Sequence, residues 1–213
     1  MAKKLVLSLA FFLMLIISAN SQTQYGIRGG INFSSLGNNE VTFGDYKLVG
    51  EPDNYFGYHI GATSMFDVSF LYLQPELLFS SVGSFLRLED IRDGAGIEDR
   101  VYFKQSVYKV DVPVIIGYEY GPIRFGAGPV YTMIIGSSND YDESILNVSY
   151  EQNYNLSSLA YQVGVGLGLG NLLLDLKYEG GITSFGKDVK IGDISNPFNA
   201  RPRQIILSIG LLF

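Results

Sequence analysis

The chain of 213 residues predicts an all-β fold, an eight-stranded antiparallel up-and-down β-barrel that crosses a membrane. Three observations predict it. From residue 24 onward, apolar residues alternate with small or polar ones, the period of two that gives a strand two different faces. The segments with this period are joined alternately by short turns and by long polar stretches. Ahead of them lies an apolar leader of the kind that directs export.

In the leader, Lys3 and Lys4 precede the apolar run Leu5 to Ile17, and Ser18-Ala19-Asn20-Ser21 supplies small residues suited to cleavage before Gln22. Residues 1–21 therefore read as a cleaved signal peptide and 22–213 as a single barrel domain. The run is too short for a membrane-spanning helix, which takes about 20 apolar residues. The counts of 25 Gly, 15 Tyr and 14 Phe lean towards β structure. The absence of Cys removes disulfides, thiolate metal sites and cysteine nucleophiles. Once Lys3 and Lys4 leave with the leader, 13 basic residues face 21 acidic ones, which argues against a nucleic-acid partner. The acids gather in Glu89 to Arg100 and Asp140 to Glu151, as in exposed loops.

The first strand, 24–33, sets Tyr25, Ile27, Ile31 and Phe33 against Gly26, Arg28, Gly30 and Asn32. The second, 55–66, sets Phe56, Tyr58, Ile60, Ala62 and Phe66 against Gly57, His59, Gly61 and Thr63. Asp67-Val68-Ser69 then turns the chain into the third, 70–80, where Leu71, Leu73, Pro75, Leu77 and Phe79 oppose Tyr72, Gln74, Glu76 and Ser80. The fourth, 107–118, sets Val110, Val112, Val114 and Ile116 against Lys109, Asp111, Pro113 and Gly117. A turn at Glu119-Tyr120-Gly121 leads to the fifth, 122–135. The sixth, 158–169, alternates Leu159, Tyr161, Val163, Val165, Leu167 and Leu169 with Ala160, Gln162, Gly164, Gly166 and Gly168. Gly170-Asn171 turns into the seventh, 172–179, with Leu172, Leu174, Leu176 and Tyr178 against Asp175, Lys177 and Glu179. The eighth, 203–213, alternates Ile205, Leu207, Ile209, Leu211 and Phe213 with Gln204, Ser208 and Gly210.

Long polar segments fill 34–54, 81–106, 136–157 and 180–202, so tight turns on one side alternate with long loops on the other. Part of the second segment, Val101 to Val107, extends a hairpin above the membrane. The face opposite the apolar one is rich in Gly with few charges, which suits a narrow interior better than a hydrated exterior. The apolar face therefore meets lipid, in an OmpA/OmpX-like architecture, rather than lining the cavity of a soluble lipocalin-like carrier. Closure follows because lipid offers no partner to open strand edges. Tyr25, Phe33, Phe56, Phe66, Phe79 and Tyr178 fall near strand ends, as interfacial girdles do. Phe213 ends the last strand as an aromatic signal for barrel-insertion machinery.

Leu73-Gln74-Pro75-Glu76-Leu77-Leu78 and Tyr108-Lys109-Val110-Asp111-Val112-Pro113 resemble the PorT-like outer-membrane β-barrel family. Gly128-Pro129-Val130-Tyr131, the Gly164 to Gly168 strand, Leu174-Asp175-Leu176-Lys177-Tyr178 and Phe213 agree with it, across most of the mature chain. Asp111 stands where the family usually has Glu. The resemblance implies an eight-stranded barrel in the bacterial outer membrane. It implies little about activity, because the family is broad; the few members with a defined role suggest, as an alternative, an accessory part in type IX secretion.

Arg28, Glu76, Lys109, Asp111, Arg124, Asp175, Lys177 and Glu179 all fall on the inward face, four of each sign. Burying isolated ions is costly, so the eight are expected to pair into a structural charge network that plugs the lumen. His59 is the single histidine, and no spacing singles out a serine beside it, so a lipid-modifying enzyme is disfavoured. The Gly164 to Gly170 run has a period of two and no helix after it, which excludes a phosphate-binding loop. Asp140, Asp142 and Glu143 lack the spacing of a calcium loop. No catalytic residue, cofactor or metal is expected. The expected function is non-catalytic, through external loops or as a structural component of the envelope. The expected partners are outer-membrane lipid, the insertion machinery and an extracellular protein or glycan, the last met by a monomer through residues 139–153 with Tyr141, Tyr150 and Tyr154.

Overall fold

The computed structural model describes residues 22–35, 40–50, 55–91, 100–141, 150–184, 186–191, 194–197, 201 and 203–213. The signal-peptide reading of residues 1–21 lies outside them. Eight long strands form the wall: β1 (Gln22–Ser35), β4 (Tyr55–Val68), β5 (Leu71–Asp90), β6 (Arg100–Tyr120), β7 (Ile123–Asn139), β9 (Ser157–Leu169), β10 (Leu172–Gly181) and β13 (Arg203–Leu212). Each pairs antiparallel with its neighbours in chain order, and β13 returns to β1 with Gly30 opposite Ser208, so the ring closes without an edge. Five short strands lie above it: β2 (Glu40–Phe43), β3 (Tyr46–Gly50), β8 (Tyr150–Tyr154), β11 (Gly186–Ile191) and β12 (Ile194–Pro197).

The three tight turns use two residues each. Val68 pairs with Leu71, Tyr120 with Ile123 and Leu172 with Leu169, leaving Ser69-Phe70, Gly121-Pro122 and Gly170-Asn171 at the tips. The first turn therefore falls later than Asp67-Val68-Ser69, because Asp67 and Val68 are still in the ladder opposite Tyr72 and Leu71. The second likewise moves from Glu119-Tyr120-Gly121 to Gly121-Pro122. In each turn the first tip residue has positive φ: 62° at Ser69, 59° at Gly121 and 64° at Gly170. That geometry matches the twist of a two-residue hairpin, and two of the three tips are glycine.

Residues expected on the lipid face point outward. Ile60 is 62 % exposed and Ile209 53 %, while their neighbours His59 and Ser208 are buried. Two aromatic rings bound this apolar belt. The upper contains the pairs Phe33–Phe56, Phe79–Tyr108 and Tyr161–Tyr178, with ring centroids 5.8, 6.4 and 6.2 Å apart. The lower contains Phe70–Tyr118 at 5.7 Å, together with exposed Tyr25, Tyr120, Phe125 and Phe213. From Tyr25 to Phe33 the chain rises about 20 Å along the membrane normal, allowing about 3.3 Å per residue and a tilt near 40°, close to the apolar band of outer-membrane barrels.

β5 and β6 run well beyond this belt, pairing as far as Glu89 with Arg100. β3 adds to the extended part of β5, and β2 adds to β3. β11 joins β8 and β12 in a separate three-stranded sheet. Buried Leu48, Leu86, Leu88, Phe103 and Val189 form one apolar cluster that ties the two sheets together. Leu86, Leu88 and Phe103 have the parity that faces the lumen lower down, so the small sheet packs over the barrel mouth. The long segments expected to be loops thus carry an ordered, cored extracellular layer.

Candidate functional site

The lumen is layered. Met65, Tyr72, Ile115, Leu173 and Leu212 form an apolar floor near the tight turns. Above it sit the eight inward charges, in two networks. In the lower one, Arg28 contacts both Glu76 and Asp175, and Lys177 Nζ lies 2.9 Å from Glu76 Oε1. Arg124 stacks over the Tyr72 ring at 4.3 Å, and its guanidinium is 3.8 Å from Asp175 and 2.8 Å from Glu119. In the upper network, Lys109 Nζ lies 2.9 Å from Asp111 Oδ2 and 3.3 Å from Glu179 Oε1.

Neutral side chains complete these networks. Gln74 Oε1 accepts from Arg124, Thr132 donates to Asp111, and the Gln162 and Gln204 amides donate to Glu179. Glu119 and these neutral partners were not singled out from the sequence. Inward parity together with a polar side chain is the signal that marks them.

The glycine run of β9 serves the same packing. Gly166 sits opposite Asp175 and Gly164 opposite Lys177. A Cβ on Gly166 would meet the Asp175 carboxylate, and one on Gly164 would lie 2.8 Å from the Lys177 stem. Two gaps among the interior side chains measure about 10 Å³ each, the room one water needs.

The structure supplies the serine that spacing did not single out. His59 Nδ1 lies 2.7 Å from Asn32 Oδ1, and His59 Nε2 lies 2.9 Å from Ser208 Oγ. Asn32 Nδ2 faces the carbonyls of Tyr58 and Ser81, so its Oδ1 accepts from Nδ1–H and Nε2 accepts from the serine hydroxyl. This is the order of a nucleophile, base and orienting amide. All three are buried, and the backbone N–H groups beside Ser208 belong to the strand ladder, so no backbone oxyanion donor is free there.

Of the external acids, Asp140 is exposed just past the end of β7. Asp140 accepts from the Lys104 backbone N–H, and Asp142 and Glu143 lie outside the described residues. Among the described residues no group of three possible metal ligands occurs. Tyr141 packs its ring against Phe103, with centroids 5.1 Å apart. The side chains of Tyr150 and Tyr154 lie outside the described residues. Phe213 is exposed, and its backbone N–H donates to the Tyr25 carbonyl at 2.8 Å.

A closed antiparallel ring with an apolar exterior, two aromatic girdles and an ion-paired lumen defines a transmembrane barrel of the bacterial outer membrane. The family described as outer membrane protein beta-barrel domain matches residues 18–186, and the chain belongs to it. Among solved structures, the outer membrane protein OprG from Pseudomonas aeruginosa is similar at a TM-score of 0.53 and 11 % identity, over 91 % of this chain and 97 % of that one. Ail of Yersinia pestis, solved with the heparin analogue sucrose octasulfate, is similar at a TM-score of 0.42 and 14 % identity, over 90 % of this chain and 99 % of Ail. No curated protein matches the chain by sequence.

The outward apolar face also removes the soluble carrier reading. A furrow of about 520 Å³ bordered by Ile31, Leu167, Leu174 and Leu207 runs along the outer wall, on the lipid side.

Proposed function

We propose that this barrel is a non-catalytic surface-binding protein, anchored by its plugged wall and recognising an extracellular protein or glycan through the layer above the mouth. The carrying observation is the buried cluster of Leu48, Leu86, Leu88, Phe103 and Val189, which stiffens that layer outside the membrane. A purely structural wall component has no need of a second core above the bilayer, whereas rigid scaffolds commonly present recognition segments. The inward ion pairs and the apolar floor support a structural lumen, since an eight-stranded barrel holds side chains but no aqueous channel.

Labelled outer-membrane vesicles bearing the chain, or the chain lacking residues 139–153, test the reading on arrays of glycans and matrix proteins. Retention by the full chain and loss on deletion are expected. Equal retention, or steady conductance by the purified barrel in planar bilayers, would count against it.

The PorT-like motifs support a second reading, an accessory subunit of type IX secretion. A barrel that always runs alone after mild detergent extraction, in cells whose secretion is unaffected by its loss, would end that reading.

A further inference from the structure

Above the upper aromatic ring, the outer face of the β5–β6 extension is basic and aromatic in a chain with a net excess of acid. Tyr55 and Phe85 pack together just above the girdle, with ring centroids 6.3 Å apart. Lys104 holds its Nζ 5.0 Å above the Tyr55 ring. At the next step, Arg87 lies 5.8 Å over exposed Tyr102 and donates to its hydroxyl at 3.4 Å. One step higher, Arg100 and Arg87 share a single carboxylate, Glu89, at 3.2 and 3.1 Å. A second acid, Asp140, turns its carboxylate to the Lys104 backbone N–H.

With Lys47, which lies opposite Glu89 on β3 and pairs with Glu40 at 2.8 Å, four cations thus meet three carboxylates on a face that points away from the lumen. Arg203, and Arg201 before it, add exposed cations at the rim of β13. The periplasmic rim is the reverse. It carries Asp67 and Glu119, and among the described residues no cation outside the lumen.

Lys104 is four residues beyond Tyr108 of the girdle, about 10 Å higher along the membrane normal. That is the depth of lipid headgroups, and the outer leaflet of this membrane is built from phosphorylated glycolipid. We propose that Arg87, Arg100 and Lys104 bind the phosphates of an outer-leaflet glycolipid, whose acyl chains and sugar lie against the exposed rings of Phe85 and Tyr102. Arg87, Arg100 and Lys104 gather positive charge at the apolar boundary, and it is this summed charge, rather than the fork of one guanidinium, that attracts the phosphates. Among the described residues, the acids Glu89, Asp140 and Glu40 lie on or beside this face, and each is already engaged by a group of the face itself, Glu40 by Lys47.

Native mass spectrometry of the full barrel in mild detergent tests this, with bisphosphorylated lipid A as probe. The comparison lipids are the same lipid A after phosphatase treatment and phosphatidylglycerol. Wild type is expected to retain the phosphorylated glycolipid and to lose it when the phosphates are removed. A cation near an anionic surface is worth roughly fivefold in affinity, so R87Q/R100Q/K104Q should weaken retention by about a hundredfold. The charge-preserving R87K/R100K variant should retain most of it. Lys190→Gln, which removes an exposed cation on the small sheet, should have no effect.

A heat-dependent gel shift identifies which variants have folded, and the Arg-to-Lys variant carries the test if the triple variant does not. Equal retention of dephosphorylated lipid, unchanged retention by the folded triple variant, or loss of retention by the Arg-to-Lys variant would overturn the proposal. So would equal retention of phosphatidylglycerol, which would mean that any anionic lipid serves. Displacement by an equal concentration of inorganic phosphate would also overturn it, by assigning the face to free phosphate.

Discussion

Replacing Lys109 by Met tests whether the lumen is held by ion pairs. The ammonium is buried between Asp111 at 2.9 Å and Glu179 at 3.3 Å, and Met keeps most of the volume while removing the charge. Two carboxylates then share the interior without their cation. Removing one member of a buried pair typically costs about 3–5 kcal/mol. Here Thr132 still donates to Asp111 at 2.6 Å, and Gln162 and Gln204 still donate to Glu179 at 2.7 and 2.6 Å.

These remaining bonds put the expected loss at the lower end, about 3 kcal/mol, or roughly a hundredfold in the unfolding equilibrium. Neutralising the acids as well, in K109M/D111N/E179Q, should restore most of that loss. Urea unfolding in lipid vesicles, followed by the heat-dependent gel shift, reads both changes. A loss below about 1 kcal/mol for K109M, or no recovery in the triple variant, would refute the ion-pair argument.

Ser69 has the left-handed backbone that Gly121 and Gly170 supply at the other two turns, so Ser69→Gly should stabilise the barrel by up to about 1 kcal/mol in the same unfolding assay. Gly166→Val would drive a side chain into the Asp175 carboxylate and to within 2.7 Å of the Leu174 carbonyl, so the folded, heat-shifted band should be lost. Val189→Asp puts a charge into the cluster beneath the small sheet. It should expose β8 (Tyr150–Tyr154), which pairs with β11 through Gln152 opposite Val189, to protease while leaving the gel shift of the barrel unchanged.

The wall was legible because its signal is local. Alternation along residues 24–33 or 203–213 records which side chains meet lipid, whatever the neighbouring strand. The same parity placed all eight inward charges. It could not say that Arg28 reaches Glu76 on one side and Asp175 on the other, because that contact depends on register and stagger around the ring. Glu119 was legible in principle, since it lies directly opposite Arg124 across the turn.

The upper ends of β5 and β6 were harder to read. Val82, Leu86, Leu88, Phe103 and Val107 continue the lumen-facing parity, but charges at Arg87, Glu89 and Lys104 break up the outer face as the strands leave lipid. Strands β2, β3, β8, β11 and β12 span only four to six residues, too few for a period to emerge, and their partners are distant in sequence or set by local turns. The Ser208–His59–Asn32 contact joins three strands and has no linear spacing at all.

The central claim is that the apolar face meets lipid around a closed, polar lumen. The absence of Cys allows a direct scan of β13, with nitroxide spin labels on single substitutions from Gln204→Cys to Leu211→Cys in bilayers. Labels at 205, 207, 209 and 211 should be highly accessible to dissolved oxygen and poorly accessible to a water-soluble nickel reagent. Those at 204, 206, 208 and 210 should be shielded from both. High nickel accessibility at 205, 207, 209 and 211 would contradict the account, because it would put the apolar face of β13 in water.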